Sequence, residues 1–306
     1  MTKRTIAYHA VNADTDCPDG ICAAWITVRA LALPPEQYNL VPIVHRSDED
    51  YLQPDYQLPF VLKGNIYILD IAFPEPLLRF IAPRVNKLTI IDHHKTNQHV
   101  ENLVRAGNIA GVFDLSECAA TAAWKYFYGT GISSKLKQPW FLPYVRQRDI
   151  GADGYYLGSI PESEAIGEAM SVRRRQYGIG AEVFPFFDEL VNIPKDEIVA
   201  EGMPMIEARN RAIESYFEIA PIALLTVGDH RVPFFDLQEH PDLHRHISMI
   251  GAKAALKHYV FPFVALTTDG ESISLRSRPD GLDVAIVAKQ FGGGGHATAA
   301  GYKINK

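Results

Sequence analysis

Apolar positions fall into short runs of strand length separated by segments of helix length. Thr5–His9 is the first such run. Gly20–Leu33, with Ile21, Ala23, Ala24, Trp25, Val28, Ala30 and Leu31, predicts a helix that ends at Pro34-Pro35, where the missing N–H groups stop it. Leu40–Val44 predicts the next strand. Asn65–Asp70 and Lys87–Asp92 predict two more, each ending on an acid. Between them Pro74–Ile81 predicts a helix with proline near its start, and Cys118–Tyr128 predicts another. Strands alternating with helices imply a parallel sheet covered by helices.

From Gly151 to Ala220 the pattern is mainly helical, with Ile206–Ile219 as a connecting helix. Beyond Pro221 it changes back. Ile222–Val227 and Val232–Leu237 read as strands, Leu243–His258 as a helix, Val260–Thr268 and Ser272–Arg276 as a hairpin, and Leu282–Phe291 as a helix before Gly292–Gly295. The expected architecture is α/β. A parallel-sheet domain occupies 1–150, a helical segment and linker 151–220, and a smaller mixed α/β domain 221–306, without internal repeats.

Composition narrows the function classes. The chain of 306 residues is 47% hydrophobic and 22% charged, in the range of soluble globular proteins. No apolar run reaches the roughly 20 residues of a membrane span. The start, Met1-Thr2-Lys3-Arg4, lacks a signal-peptide core, so a cytoplasmic location without membrane partners is expected. With 30 Lys and Arg against 36 Asp and Glu, the net charge of −6 disfavours a coat for long nucleic acid. Anions would then be met by metal ions or main-chain amides. Three cysteines make no disulfide framework and lack zinc-site spacing.

In a parallel sheet, ligands bind at the carboxyl ends of the strands. Those ends carry His9, Asp70 and Asp92-His93-His94. Between the first strand and its helix lie Asp14, Asp16 and Asp19, a donor density that suits Mn²⁺ or Mg²⁺. The plainer reading is an Asx-rich loop whose last acid caps the helix. Taken singly, Asp70 also reads as a turn acid and Asp149 as an ion-paired acid. Together with His93 they would supply two metal ions roughly 3.5–4 Å apart, the arrangement for phosphoryl displacement. No Walker-type loop is present. At the other end, the glycines Gly292–Gly295 before His296 can cradle an anion, and Arg276 with Ser277 ends a strand where a guanidinium can meet phosphate. Arg173-Arg174-Arg175 reads as a phosphate contact or, more plainly, as a solvated charge run.

Asp92-His93-His94 after an apolar strand resembles the signature of the DHH phosphoesterase superfamily. Ser274-Leu-Arg-Ser, Asp283-Val-Ala and Phe291-Gly-Gly-Gly-Gly-His296-Ala-Thr-Ala-Ala-Gly301 are similar to its DHH-associated C-terminal domain, a module also seen at the end of alanyl-tRNA synthetases. Cys17-Pro-Asp-Gly-Ile-Cys-Ala-Ala-Trp25 resembles the first motif of one branch. The resemblance implies a RecJ-like or nanoRNase-like enzyme with two Mn²⁺ ions (or Mg²⁺ or Co²⁺) on the first domain and substrate in the cleft between the domains. Carried over, Asp70 bridges the metals, His93 and Asp149 hold the second, and His94 meets the scissile phosphate with Asp92 beside it as the catalytic pair. Arg276, Ser277, Gly293, Gly294, Gly295 and His296 hold the rest of the substrate.

The first motif aligns in two ways. Counted from the strand end it is His9, Asp14 and Asp16; counted from the helix start it is Asp19, with Cys17 in the place of the first acid. His9 and Asp19 are expected near the metals, with Asp14 or Asp16 adding a carboxylate. The function expected is a metal-dependent phosphodiesterase, exonuclease or oligoribonuclease in type, acting on short oligonucleotides, dinucleotides or bisphosphorylated nucleosides. A homodimer is left open. The alternatives are a pyrophosphate or polyphosphate hydrolase and a non-catalytic nucleotide sensor.

Overall fold

The computed structural model describes residues 3–129, 136–151, 160–220 and 223–304. The first strand, β1 (Arg4–Asn12), leads through the two-residue β2 (Thr15–Asp16) into helix α1 (Pro18–Ala30). Then come β3 (Tyr38–Val44), α2 (Asp48–Tyr51), β4 (Asn65–Leu69), α3 (Glu75–Ile81), β5 (Lys87–Asp92), α4 (His99–Arg105), β6 (Ala110–Phe113), α5 (Ala119–Tyr128) and α6 (Leu142–Ile150). The central stretch holds α7 (Pro161–Arg174), α8 (Phe184–Leu190) and α9 (Lys195–Ile219). The last part runs β7 (Ala223–Val227), β8 (His230–Asp236), α10 (Ile247–Lys257), β9 (Val264–Thr267), β10 (Ser272–Arg276), α11 (Val284–Lys289), β11 (Gly294–His296) and β12 (Ala299–Lys303).

The chain divides into two compact units, Met1–Ala152 with Ile166–Val199, and Asp153–Ala165 with Ala200–Lys306. In the first, β3, β1, β4, β5 and β6 lie side by side and all parallel, as the strand–helix alternation predicts. β2 adds a short antiparallel ribbon against the end of β1. Central strands read as almost continuous apolar runs because helices cover both faces. One core joins α1 and α5 through Ile21, Trp25 and Trp124 to Phe141, Phe187 and Leu190. The other places Ile66, Ile68, Ile90, Phe73 and Leu78 with Val100 and Leu103.

The second unit is built on another six-stranded sheet, ordered β11-β12-β10-β9-β8-β7, in which only β8 and β9 pair in parallel. A core with Ile250, Val264 and Leu266 and one with Ile273, Leu275 and Val284 place α10 and α11 on opposite faces. The predicted strand from Ile222 begins at Ala223, since Ile222 lies outside the described residues. The predicted helix from Leu243 opens as a 3₁₀ turn over Pro241–His246 and turns α-helical at Ile247. The glycine run leaves a turn at Gly292 and enters β11 at Gly294, which pairs with β12 in the register Gly295↔Ala300 and His296↔Ala299.

Candidate metal centre

Three strands of the parallel sheet end at one edge, and their last residues make the site. His9 lies in β1, Asp70 directly follows β4, and Asp92 closes β5 with His93 and His94 after it. Asp70 turns sharply there, with φ at +62°, while its N–H bonds the Ile91 carbonyl 2.9 Å away. A non-glycine residue in the left-handed region is strained, and such strain concentrates where a side chain must be aimed. The turn buries the carboxylate among donors from three directions. Oδ2 stands 3.2 Å from His9 Nδ1 and accepts from Cys17 Sγ at 3.1 Å. Oδ1 stands 3.2 Å from His93 Nε2 and 3.9 Å from His94 Nδ1.

Helix α1 closes the site from above. Gly20 makes this approach possible: a Cβ there would lie 2.6 Å from the His9 carbonyl oxygen and 3.2 Å from Asp70 Oδ2. Asp19, in the first turn of α1, is buried and accepts hydrogen bonds from the amides of Ala119 and Ala120 at 2.6 and 2.9 Å. It thus caps α5, a helix 100 residues further along, and its Oδ2 still lies 3.9 Å from His93 Nε2. Asp149, near the end of α6, brings its Oδ2 to 3.3 Å from the same nitrogen. Beyond this ion pair, that buried oxygen has no hydrogen-bond partner among the described residues.

Asp92 serves the next residues rather than the centre of the cluster. Fully buried, its Oδ1 accepts from the amides of His93 and His94 and lies 2.8 Å from His94 Nδ1. Its Oδ2 accepts from Asn97 Nδ2 at 2.6 Å. Asn97, in the 3₁₀ turn after His94, has no place in the motif as read from sequence. His45, one residue past β3, is another addition at this sheet edge; its ring is held below the usual imidazole range by burial and by the like charges of His9 and His94.

The charges follow from this packing. Burial would lift Asp70, but the hydrogen bonds of His9 and His93 and the charge of His94 hold it well below the usual carboxylate range. Burial first, then the charges of Asp70 and Asp149, hold Asp19 well above it. Burial and the charge of Asp70 push Asp149 up to about 6. Burial works against a charged His93, yet Asp70, Asp149 and Asp19 raise it to about 10. Asp92 outweighs burial at His94 and raises it to about 9.

Among the described residues, three groups bring ligand atoms within 4.8 Å of one another: His9, Cys17 and Asp70; Asp19, His93 and Asp149; and Asp70 with Asp92, His93 and His94. Asp70 stands between the first two groups, its Oδ2 on His9 and Cys17 and its Oδ1 3.2 Å from His93 Nε2, and the donor types are compatible with divalent cations. Of the first motif's residues, His9, Cys17 and Asp19 lie at this sheet edge and Asp14 and Asp16 do not. Asp14 sits in the exposed β1–β2 turn, its N–H donating to Asn12 Oδ1. Asp16 is buried, but its oxygens take Tyr8 Oη at 2.6 Å, Arg174 Nη2 at 3.1 Å and the Gly180 amide at 2.9 Å. Asp16 thus answers a guanidinium away from the sheet edge, while Cys17 Sγ lies 3.1 Å from Asp70 Oδ2. The arginine run resolves likewise, with Arg174 on Asp16 and Arg173 on Glu197.

In the second unit the structure gathers the remaining candidates at one end of its sheet. Arg276 pairs with Ala299, and Ala299 with His296, so the three share a row on one face. Arg276 donates to Ser248 Oγ and to the Leu275 carbonyl, while Ser277 Oγ donates to the Ala297 carbonyl. At Gly293 and Gly295 the backbone that comes close is the chain's own. A Cβ at Gly295 (φ +139°) would lie 2.5 Å from the Ala299 oxygen, and one at Gly293 2.1 Å from the Gly301 oxygen. Gly294 has open space where its Cβ would be.

No protein-family profile matches the chain. An uncharacterised protein of Acanthamoeba polyphaga mimivirus is 23% identical over 269 residues, 85% of this chain; the chain spans 58% of that relative's length. Solved structures similar to the chain include a pGpG-specific phosphodiesterase from Vibrio cholerae, at 12% identity over 99% of this chain and 93% of that one, with a TM-score of 0.46. An exopolyphosphatase-related protein from Bacteroides fragilis matches at 12% identity over 100% and 87%, with a TM-score of 0.47. Exonuclease RecJ bound to manganese matches at 15% identity over 99% and 86%, with a TM-score of 0.46. Likeness of this order leaves the assignment of chemistry to the site itself.

Proposed function

We propose that the protein is a phosphoesterase of the DHH type that hydrolyses short nucleotide substrates with two divalent cations. The observation that carries this reading is the division of one buried carboxylate. Asp70 gives Oδ2 to His9 and Cys17 and Oδ1 to His93, the arrangement of a ligand shared by two ions. Cations held there supply Lewis acidity to an attacking water and to the leaving oxygen. The chain's own groups do the remaining work. Asp92 fixes the His94 ring through Nδ1 and keeps it positively charged at neutral pH, so that it can hold a phosphate oxygen. Asn97 in turn fixes Asp92. Asp19 and Asp149 flank His93 and complete the second position.

Mn²⁺ is the ion we expect at the oxygen-rich position. Substrates are short oligonucleotides, dinucleotides or bisphosphorylated nucleosides, with Arg276 and His296 offering donors to a further phosphate. The test is a hydrolysis panel with Mn²⁺ or chelator: labelled short and long RNA and DNA, linear and cyclic dinucleotides, 3′-phosphoadenosine 5′-phosphate and pyrophosphate. Chelator-sensitive release of mononucleotides, fastest from the shortest chains, is expected. Cleavage of pyrophosphate alone would replace the substrate class, and an inactive panel would refute catalysis.

A further inference from the structure

The first cation position has an unusual donor set, and it separates the two halves of the site chemically. Cys17 Sγ lies 3.1 Å from Asp70 Oδ2, and its atoms join those of His9 and Asp70 in one group within 4.8 Å. The other position, around Asp19, His93 and Asp149, offers two carboxylates and an imidazole. A thiolate binds soft and borderline cations, whereas carboxylates suit harder ones. We propose, resting on the two-cation reading above, that Cys17 is a metal ligand and that its position takes Zn²⁺ while the Asp19–His93–Asp149 position takes Mn²⁺.

The location of Cys17 distinguishes it from a cysteine that merely fills space. Cys22 and Cys118 are also buried thiols between α1 and α5, and Cys118 meets Thr121 Oγ1 and the Asp19 carboxylate, but among the described residues neither joins a group of converging ligand atoms. Cys17 precedes the first residue of α1, and its sulfur faces a carboxylate and an imidazole instead. The sulfur also stands at the amino end of a 13-residue helix, an end that favours negative charge. Binding of a cation at this sulfur breaks the S–H bond, forms an S–metal bond and releases the proton to solvent.

The experiment uses Co²⁺ as a spectroscopic substitute for Zn²⁺. Chelator-treated protein is titrated with Co²⁺ and followed by absorption. Wild-type protein, Cys22→Ser and Cys118→Ser should show the near-ultraviolet thiolate-to-cobalt band, and Cys17→Ser should lack it. In a competition, Cys17→Asp should lose at least about tenfold in Zn²⁺ preference over Mn²⁺, the loss that even an outer-shell change brings. A second measurement needs no variant: Zn²⁺ should protect Cys17 from alkylation, read by mass spectrometry of the tryptic peptides. Cobalt bound with d–d bands but without the sulfur band, or alkylation of Cys17 unaffected by Zn²⁺, overturns the proposal while the phosphoesterase reading stands. A protein that binds no cobalt at all overturns both.

Discussion

Asp70 shows how much one residue can carry. Its left-handed backbone at the end of β4 turns the carboxylate into the edge of the sheet, where both oxygens find different partners. Asp70→Asn keeps the shape and removes the charge. It should lower metal content and cut kcat/KM beyond the roughly 10–100-fold that loss of an outer-shell partner brings; metal analysis and steady-state kinetics check both. Asn97→Ala tests the opposite case. It leaves a buried oxygen of Asp92 unsatisfied, so activity should fall within that same 10–100-fold range while metal content holds. Asp70 and His93 were legible in the sequence as donors at strand ends, whereas Asp149 read singly as an ion-paired acid and entered only through the group and the resemblance. Asn97 was not, because its role depends on a 3₁₀ turn that folds it back onto Asp92. Asp16 was legible only as a donor type; Arg174, far away in the chain, decides what it does.

At the scale of elements, α1 must settle close on β1 for the site to form. Gly20→Ala places a methyl group 2.6 Å from the His9 oxygen, so the first turn of α1 must lift. A stability loss of about 1–3 kcal/mol is expected, as for other overpacked sites. Metal content should fall with it, because Cys17 and Asp19 ride on that turn; thermal melts and metal analysis read the two effects. The strands with strong apolar runs were legible, and so were the helices with clear stops. The short β6 and the hairpin of β11 with β12 were not. Ala110–Phe113 is only half-buried, and Gly294–Gly295 offers no side-chain alternation to read. Helix α9 runs from Lys195 through Pro204, where the sequence alone predicts a start only at Ile206.

For the molecule as a whole, metal loading and folding are linked through protons. His93 sits at about 10 in the folded, metal-free protein against an ordinary 6.5. Its raised value stabilises the fold fully below about pH 6.5 and ceases to do so as pH climbs through about 10. Chelator-treated protein should therefore show a falling urea midpoint between these limits. Metal affinity should move the opposite way, because the cation must displace that proton. It should rise by up to about tenfold per pH unit for each proton released, measurable by calorimetry in buffers of different ionisation enthalpy.

What the sequence determined by itself was the alternation that builds a parallel sheet, the strand ends at which acids and histidines would meet, and the chemical types available there. These follow from local periodicity and from the rule that parallel strands share one carboxyl edge. What only the tertiary structure decided was which donors meet. Helix α1 packs on β1 at Gly20, which brings Cys17 and Asp19 to Asp70, while the β1–β2 ribbon carries Asp14 into solvent and Asp16 to Arg174. The physical reason is that a buried carboxylate is assigned by its nearest compensating charge and donors, and those come from parts of the chain whose separation no motif spacing records.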